Sequence, residues 1–564
     1  MTKSDFVRPR FLTGLIGRIE NWMRREWALV ALLALAFFLR IFGIGYGLPL
    51  TLVSDEPPFS LVALKMIQIH TLIPALNPEA FAPILLYPLY LSYILIIPFS
   101  AIVGAKYLFW HGPRELFEST LLADLSPFFL TARVVSVLLG MLTVYLVYEI
   151  AKSLFRSRIA SITAGFLVAT SILHQALSMV GRHWMPSSLV FLLVLYVLTR
   201  DIPKQRRYMH AFLVAGIGMG FSTLSLLSLP FIGLYYLIFD RYSWKDLSRD
   251  IPFLAQGGAL FAGLAIIPFL LYHNGNAFLG SVTVLAQKTI PVFLESPWTL
   301  LSLNLYSEPV LICLFITGMA LLLKGNRKVF MLIAGWFLIY ATIFYIVFRF
   351  DPRFALPLIP FYALAGGYAI ERLWSKRTAV ALALLLLIPL VVALRVEQLA
   401  LRGDTREIAR TWALENLKPA DKVLVYSAGM RLPTTALAVE ELRSIDPSVV
   451  RKTDEADVAL NRTNLPYTLN NLFPMKKDGV FIRDIALYAR RNGYTHLIFG
   501  PEYANEATST ARAFAPLISK AEEIKRFPGR GPDMSIADSS LTELFAELFD
   551  NRYFGPTIIV YTLK

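Results

Sequence analysis

Two adjacent carboxylates, Asp55 and Glu56, lie between a long apolar segment and two prolines in the sequence TLVSDEPPFS (51–60). A carboxylate beside a membrane could act as a general base that takes a proton from an acceptor hydroxyl. We assign this role to Asp55, and we expect Glu56 to orient the site or to bind a divalent cation. The alternative is that Asp55 only caps the helix opened by Pro57. A cap does not need two carboxylates, so we favour catalysis.

Arginine and histidine side chains in the segment VGRHWMP (180–186) could complete such a site. Arg182 could neutralise a phosphate, and His183 could contact the acceptor or a metal ion. In the alternative interpretation both residues are interfacial anchors, and Trp184 belongs to an aromatic belt. A lone histidine is weak evidence for metal, so no metal site is assigned.

Two further arginines flank an aspartate in FRFDPRFALPLIP (348–360). A planar guanidinium binds phosphate oxygens through two parallel hydrogen bonds, so Arg349 and Arg353 are candidate ligands of a donor phosphate. An internal ion pair with Asp351 is the alternative. Tyrosines in NPEAFAPILLYPLYLSY (77–93) form a fourth group, and Tyr87 and Tyr90 could line a sugar or lipid pocket or belong to an aromatic belt.

The composition of the chain indicates that these residues belong to a membrane protein. The chain has 564 residues, of which 56% are hydrophobic and 17% charged. A spanning helix needs about 20 apolar residues, and several windows meet that length. The net charge of +14 fits basic cytoplasmic loops better than nucleic-acid binding. The single cysteine, Cys313, excludes internal disulfides and a cysteine-ligated metal site.

Basic clusters such as KSLFRSR (152–158) and KGNRK (324–328) set the predicted topology, with a cytoplasmic N-terminus. All these clusters are cytoplasmic only if the apolar segment 81–105 makes no net crossing. We therefore predict that this segment is re-entrant or interfacial within one outer loop spanning about residues 49–126. About 11 spans result: 28–48, 127–151, 159–181, 186–199, 209–227, 229–240, 251–272, 307–323, 329–348, 354–372 and 378–395.

The composition changes near residue 400, where we divide the chain into a membrane domain (1–398) and a soluble extracytoplasmic domain (399–564). DTREIARTWALENL is typical of an amphipathic helix, with Ile408, Trp412 and Leu417 on one face. Buried strands are predicted at 422–427, 495–500 and 557–563, with a helix at 483–493. This alternation predicts a small α/β domain.

The chain contains no Gly-rich phosphate loop, HExxH or GxSxG motif, so soluble nucleotide-driven chemistry has no recognisable site. An outer carboxylate facing outer arginines instead suits a substrate that carries phosphate on a lipid. The alternative is a lipid-linked sugar flippase or another polytopic transporter, with Asp55 coupling transport. Transporters usually show internal repeats and mid-helix ionisable residues. This chain shows no repeat, and its acidic pair lies in a loop. A membrane scaffold that binds partners is a third reading.

Three segments together resemble glycosyltransferase family 39 of the GT-C superfamily, which includes protein mannosyltransferases and lipid A aminoarabinose transferases. They are RIFGIGYGLPLTLVSDEPPFS, LTARVVSVLLGMLTVYLVYEIAKSLF and RFALPLIPFYALAGG. The resemblance implies a GT-C helical bundle with juxtamembrane helices, a polyprenyl-phosphate sugar donor, and hexosyl or pentosyl transfer to a lipid, glycan or protein acceptor outside the cytoplasm. It assigns the base to Asp55 and donor-phosphate binding to Arg353. Many members carry an aspartate after Arg182, where this chain has only His183.

Overall fold

The computed structural model describes residues 26–53, 56–81, 84, 87–241, 243–272, 301–302, 304–305, 308–347, 352–427, 429–445, 447, 450–460, 466–470, 485–501, 509–529 and 548–564. This part of the chain is mainly helical. Apolar helices form a bundle, and a small α/β domain with one sheet follows it. The predicted fold class is therefore confirmed.

Sixteen described helices precede the C-terminal domain. They are α1 (Trp27–Ile41), α2 (Pro57–Gln68), α3 (Pro78–Phe81), α4 (Tyr90–Leu108), α5 (Phe117–Ala123), α6 (Ser126–Phe155), α7 (Arg158–Ala169), α8 (Ile172–Ser178), α9 (Trp184–Leu198), α10 (Lys204–Gly218), α11 (Ser228–Tyr235), α12 (Trp244–Tyr272), α13 (Pro309–Gly325), α14 (Arg327–Val347), α15 (Ile359–Leu373) and α16 (Ala379–Arg402).

Six helices of the described chain are long and apolar enough to cross a membrane, or seven spans if the bent pair α7–α8 counts as one. Three shorter apolar helices, α1, α9 and α13, accompany them. These helices indicate a multi-pass membrane protein. Helix α4 (Tyr90–Leu108) overlaps the segment 81–105, which we predicted to make no net crossing, and it meets the same length and composition test.

The segment 159–181, predicted as one span, is broken between α7 and α8, whose axes differ by 60°. Ser171 caps α8, because its hydroxyl accepts a hydrogen bond from the His174 N–H. The guanidinium of Arg40 donates to the carbonyls of Ala169 and Val168, which end α7. These bonds satisfy backbone groups that a helix break would otherwise leave unpaired inside the bundle.

Helix α15 lies at the centre of the bundle, and all its residues from Ile359 to Ile370 are buried. It packs closely on α7 and α13. A Cβ atom at Gly318 would lie 2.0 Å from the Ala365 carbonyl oxygen, so only glycine permits this contact. Small residues that let backbones approach closely are typical of helix packing in membranes.

The C-terminal domain contains one five-stranded mixed sheet with the strand order β2–β1–β3–β5–β4. Strands β1 and β2, and β1 and β3, are parallel, whereas β5 is antiparallel to both its neighbours. The remaining elements of the described chain are α17 (Thr405–Asn416), β1 (Lys422–Tyr426), α18 (Ala436–Ile445), α19 (Lys452–Ala459), β2 (Tyr467–Leu469), α20 (Ile485–Arg491), β3 (His496–Phe499), α21 (Ser509–Ile518), β4 (Glu522–Phe527) and β5 (Ile558–Thr562).

The amphipathic helix and the three strands expected from sequence correspond to α17, β1, β3 and β5. Ile408 and Trp412 of α17, together with Leu417 just after its end, pack against buried residues of the sheet. Strand β4 is not among the predicted elements. Strand β4 lies at the edge of the sheet, and almost all residues of its sequence EEIKRF are exposed. The sequence of β4 therefore lacks the apolar pattern of a buried strand.

Candidate active site

Glu56 lies immediately before α2, and it is fully buried. Its two carboxylate oxygens accept hydrogen bonds from the Arg133 guanidinium, at 2.8 Å from Nε and 2.7 Å from Nη2. The same carboxylate accepts a third bond of 2.8 Å from the backbone N–H of Gly181. Glu56 therefore joins three segments that are far apart in the chain: the start of α2, the N-terminal part of α6 and the turn before α9.

Arg133 also holds the loop that follows α1. Its Nη1 donates to the Ile44 carbonyl at 2.8 Å and to the Tyr46 carbonyl at 2.6 Å. The sequence motifs considered above did not identify Arg133 as a site residue. The sequence feature that could have identified Arg133 is its charge within the apolar run LTARVVSVLLG. Charged residues inside membrane helices normally face a partner.

Gly181 permits the close approach of the turn to α6. A Cβ atom there would lie 2.7 Å from the Ala132 Cβ and 3.2 Å from Glu56 Oε1. The turn residues Arg182 and His183 follow directly, and both are buried. The position of these two side chains is thus coupled to the buried ion pair.

Aromatic rings surround the imidazole of His183. The ring of Tyr87 stacks on it with a centroid distance of 4.8 Å, and Trp184 lies 4.7 Å away. Phe59 of α2 contacts both, at 5.3 Å from His183 and 5.0 Å from Tyr87. Tyr87, from the segment before α4, therefore belongs to the same site as the 180–186 turn.

Arg353 approaches this cluster from the segment before α15. Its guanidinium lies 5.9 Å from the ring centroid of Trp184 and 5.5 Å from that of Phe354. Burial, together with the nearby charges of Arg182 and Arg353, lowers the pKa of His183 to about 3. His183 is therefore a neutral imidazole at physiological pH.

The structure thus brings together five of the predicted site residues: Glu56, Tyr87, Arg182, His183 and Arg353. Tyr90 has other contacts. Its N–H donates to the Gly220 carbonyl at 2.9 Å, and its ring packs against Phe221 at 5.7 Å.

Two predicted residues, Asp55 and Arg349, lie outside the described residues. Among the residues that are described, no three His, Cys, Asp or Glu side chains come together as metal ligands would.

Comparison with known proteins gives one family match and several overall structural likenesses. No curated protein matches the chain significantly. ArnT from Cupriavidus metallidurans, solved bound to undecaprenyl phosphate, shares 13% identity over 96% of this chain and 98% of its own, with a TM-score of 0.46. The oligosaccharyltransferase AglB from Archaeoglobus fulgidus shares 14% identity over 93% of this chain and 77% of its own, also with a TM-score of 0.46.

The family model of dolichyl-phosphate-mannose–protein mannosyltransferases matches residues 119–272. The matched segment begins in α5 and ends with α12. It includes Arg133 and the turn with Arg182 and His183. Over these residues the chain is similar to this mannosyltransferase family, which confirms the resemblance that the sequence motifs indicated.

Proposed function

We propose that the protein is a membrane glycosyltransferase that moves a sugar from a polyprenyl-phosphate donor to an acceptor hydroxyl on the extracytoplasmic face. The observation that carries this proposal is the convergence of Glu56, Tyr87, Arg182, His183 and Arg353 at one place. These residues come from four distant segments. The family match of residues 119–272 supports the same reaction class, since the named family uses a dolichyl-phosphate sugar.

The charges of the described residues favour an anionic ligand. Arg182 and Arg353 both bring positive charge to the neutral imidazole of His183 and lower its pKa. Two guanidinium groups in a poorly hydrated setting suit a phosphate, which accepts paired hydrogen bonds from arginine. Tyr87, stacked on His183, offers an aromatic surface of the kind that sugar and lipid pockets use.

In the mechanism that we propose, Asp55 removes the proton of the acceptor hydroxyl. The hydroxyl oxygen forms a bond to the anomeric carbon while the bond from that carbon to the phosphate oxygen breaks. One in-line displacement inverts the configuration, and polyprenyl phosphate leaves. Arg353 and Arg182, with Arg349 as a further candidate, offset the charge that grows on the leaving phosphate.

The Glu56 contacts support this assignment of Asp55. Three short hydrogen bonds fix the residue next to the proposed base, at the start of α2. A base acts mainly through its placement, and Glu56, which follows the proposed base in sequence, is anchored. Glu56 then orients the site, and the general base is the adjacent residue.

Reconstitution of the purified protein in liposomes tests the reaction class. The probes are radiolabelled polyprenyl-phosphate hexoses and pentoses, with membranes from cells that lack the protein as the acceptor source. We expect label on the acceptor, release of one polyprenyl phosphate per sugar, and inversion at the anomeric carbon. Translocation of the intact lipid-linked sugar with no transfer would contradict the proposal and favour a flippase.

A further inference from the structure

The loop between α1 and α2 is held from both sides. On the membrane side, the Tyr46 carbonyl accepts a hydrogen bond of 2.6 Å from Arg133. On the other side, the Tyr46 hydroxyl donates to Asp404 Oδ2, also at 2.6 Å. Tyr46 itself is 3% exposed, so both bonds are shielded from water. One residue therefore links the buried Glu56–Arg133 pair to the C-terminal domain.

Asp404 is a rigid partner for this tyrosine. It is fully buried and caps α17, with Oδ1 accepting the Arg406 N–H at 2.8 Å. The Arg406 side chain binds the same carboxylate through Nε and Nη2, each at 2.8 Å. Thr405 is bonded in turn to the Phe554 carbonyl at 2.9 Å, next to the C-terminal strand. The carboxylate that receives Tyr46 is therefore fixed by the frame of the C-terminal domain.

Apolar contacts reinforce the link between the loop and the C-terminal domain. The ring of Tyr46 packs edge-to-face on Phe554, with a centroid distance of 5.5 Å. A Cβ atom at Gly429 would lie 2.7 Å from Leu52, so the loop also touches the connection after β1.

The start of the loop is held by a helix of the bundle. The Gly43 N–H donates a hydrogen bond of 2.8 Å to the carboxylate of Glu397 in α16. The loop is thus anchored along its length before it reaches residue 53.

We propose that Tyr46 and Asp404 are positioning residues that hold the loop 43–53, which leads in sequence to the proposed base Asp55. The inference rests on the proposed function, and it makes the C-terminal domain part of the active-site framework. Asp55 follows the anchored loop by two residues and precedes the anchored Glu56. A displacement of a catalytic group by about 1 Å can lower a rate about 100-fold, so one lost hydrogen bond to the loop would be measurable.

Tyr46→Phe is the appropriate variant, because it removes the hydroxyl and keeps the ring. Tyr494→Phe is the matched control. Tyr494 is also buried, and its hydroxyl donates to a carboxylate oxygen of Glu441 at 2.8 Å, at a site within the C-terminal domain. We expect Tyr46→Phe to lower kcat about 10- to 100-fold while KM for the donor changes less than about threefold. The control should leave both constants near wild type, with a similar change in Tm.

Hydrogen–deuterium exchange of the full-length protein in nanodiscs gives a readout that does not depend on activity. Tyr46→Phe should increase exchange at residues 50–60 about tenfold, and Tyr494→Phe should not. Unchanged exchange in Tyr46→Phe would overturn the inference even if the wild type transfers sugar. Increased exchange with an unchanged kcat would show a purely structural contact and would also overturn it. A wild type that transfers no sugar would instead overturn the proposed function, and the positioning role with it.

Discussion

Residues at the candidate site divide into those that hold its segments together and those that we propose contact the substrate. Glu56 and Arg133 belong to the first group. Both carboxylate oxygens of Glu56 and all three guanidinium nitrogens of Arg133 form hydrogen bonds within the protein. A buried ion pair contributes little net stability compared with apolar packing, but removal of one partner leaves an uncompensated buried charge. The two residues therefore depend on each other.

Glu56→Gln should lower the free energy of unfolding by about 3–5 kcal/mol, because Arg133 keeps its charge without a counterion. Thermal unfolding in detergent, followed by tryptophan fluorescence, measures the effect as a fall in Tm. Glu115→Gln is a suitable control, since Glu115 is exposed in the segment before α5. If Glu56→Gln keeps the wild-type Tm and loses transfer, then Glu56 acts directly in catalysis and the structural assignment is wrong.

His183 should remain neutral across the range from pH 5 to 8. Its pKa is lowered to about 3, chiefly by burial and then by the charges of Arg182 and Arg353. An exposed histidine would instead gain its proton near pH 6.5. NMR of protein with labelled histidine, assigned by comparison with His183→Asn, should show one signal with the neutral shift at every pH in this range. A His183 signal that titrates near pH 6.5 would contradict the burial described here.

At the scale of helices and strands, the sequence pattern predicts elements that have a regular apolar face. Helix α17 and strands β1, β3 and β5 lie where the periodicity indicates. The break between α7 and α8 is marked in the sequence only by the polar pair Thr170 and Ser171, and it was not predicted because the segment as a whole is apolar enough to span a membrane. The break depends on Arg40, whose bonds to the last carbonyls of α7 come from a different helix.

The stability of the protein should depend on pH through Glu407 of helix α17. Burial raises the pKa of Glu407 to about 7, although the backbone N–H groups of Asp404 and Gly47 face the carboxylate and partly oppose the shift. The folded state thus favours the protonated form, and this contribution to stability is complete below the ordinary pKa near 4.5. It is lost as the pH rises through about 7. Glu407→Gln removes the ionisation and should stabilise the protein at pH 8 more than at pH 5.

The measurement is Tm for the wild type, Glu407→Gln and Glu415→Gln at pH 5 and pH 8. Glu415 lies on the same helix and is exposed, so its variant should show the wild-type pH dependence. The free-energy slope attributable to one such group is at most about 1.4 kcal/mol per pH unit. An equal Tm difference between Glu407→Gln and wild type at both pH values would show that Glu407 ionises normally.

For the whole molecule, the orientation in the membrane follows from the distribution of basic loops. We expect residue 111 to be extracytoplasmic and residue 201 to be cytoplasmic. The variants His111→Cys and Asp201→Cys, made with Cys313→Ser, place single thiols at exposed positions. A membrane-impermeant maleimide should label intact cells or spheroplasts only through His111→Cys. Labelling of Asp201→Cys alone would mean that the predicted topology is inverted.

Much of the architecture can be inferred from the sequence, since hydropathy indicates the apolar helices and the helix–strand alternation indicates the C-terminal α/β domain. The contacts that assemble the site cannot be inferred in this way. Glu56 and Arg133 are 77 residues apart, and Tyr46 and Asp404 are 358 residues apart. No short sequence pattern predicts contacts between residues that are so far apart in the chain. The charged residue within α6 is a signal that something must neutralise it, but the partner is identified only in the folded chain.

We propose that this membrane protein transfers sugar with Asp55 as the general base, and the decisive experiment is the rate of transfer by Asp55→Asn. The variant is compared with wild type and Glu115→Gln in the same liposomes, with one radiolabelled polyprenyl-phosphate sugar. We expect Asp55→Asn to lose about 100- to 10,000-fold in kcat with an unchanged Tm, because general-base catalysis contributes about that factor. Glu115→Gln should transfer sugar at the wild-type rate. Transfer by Asp55→Asn at the wild-type rate would contradict the account.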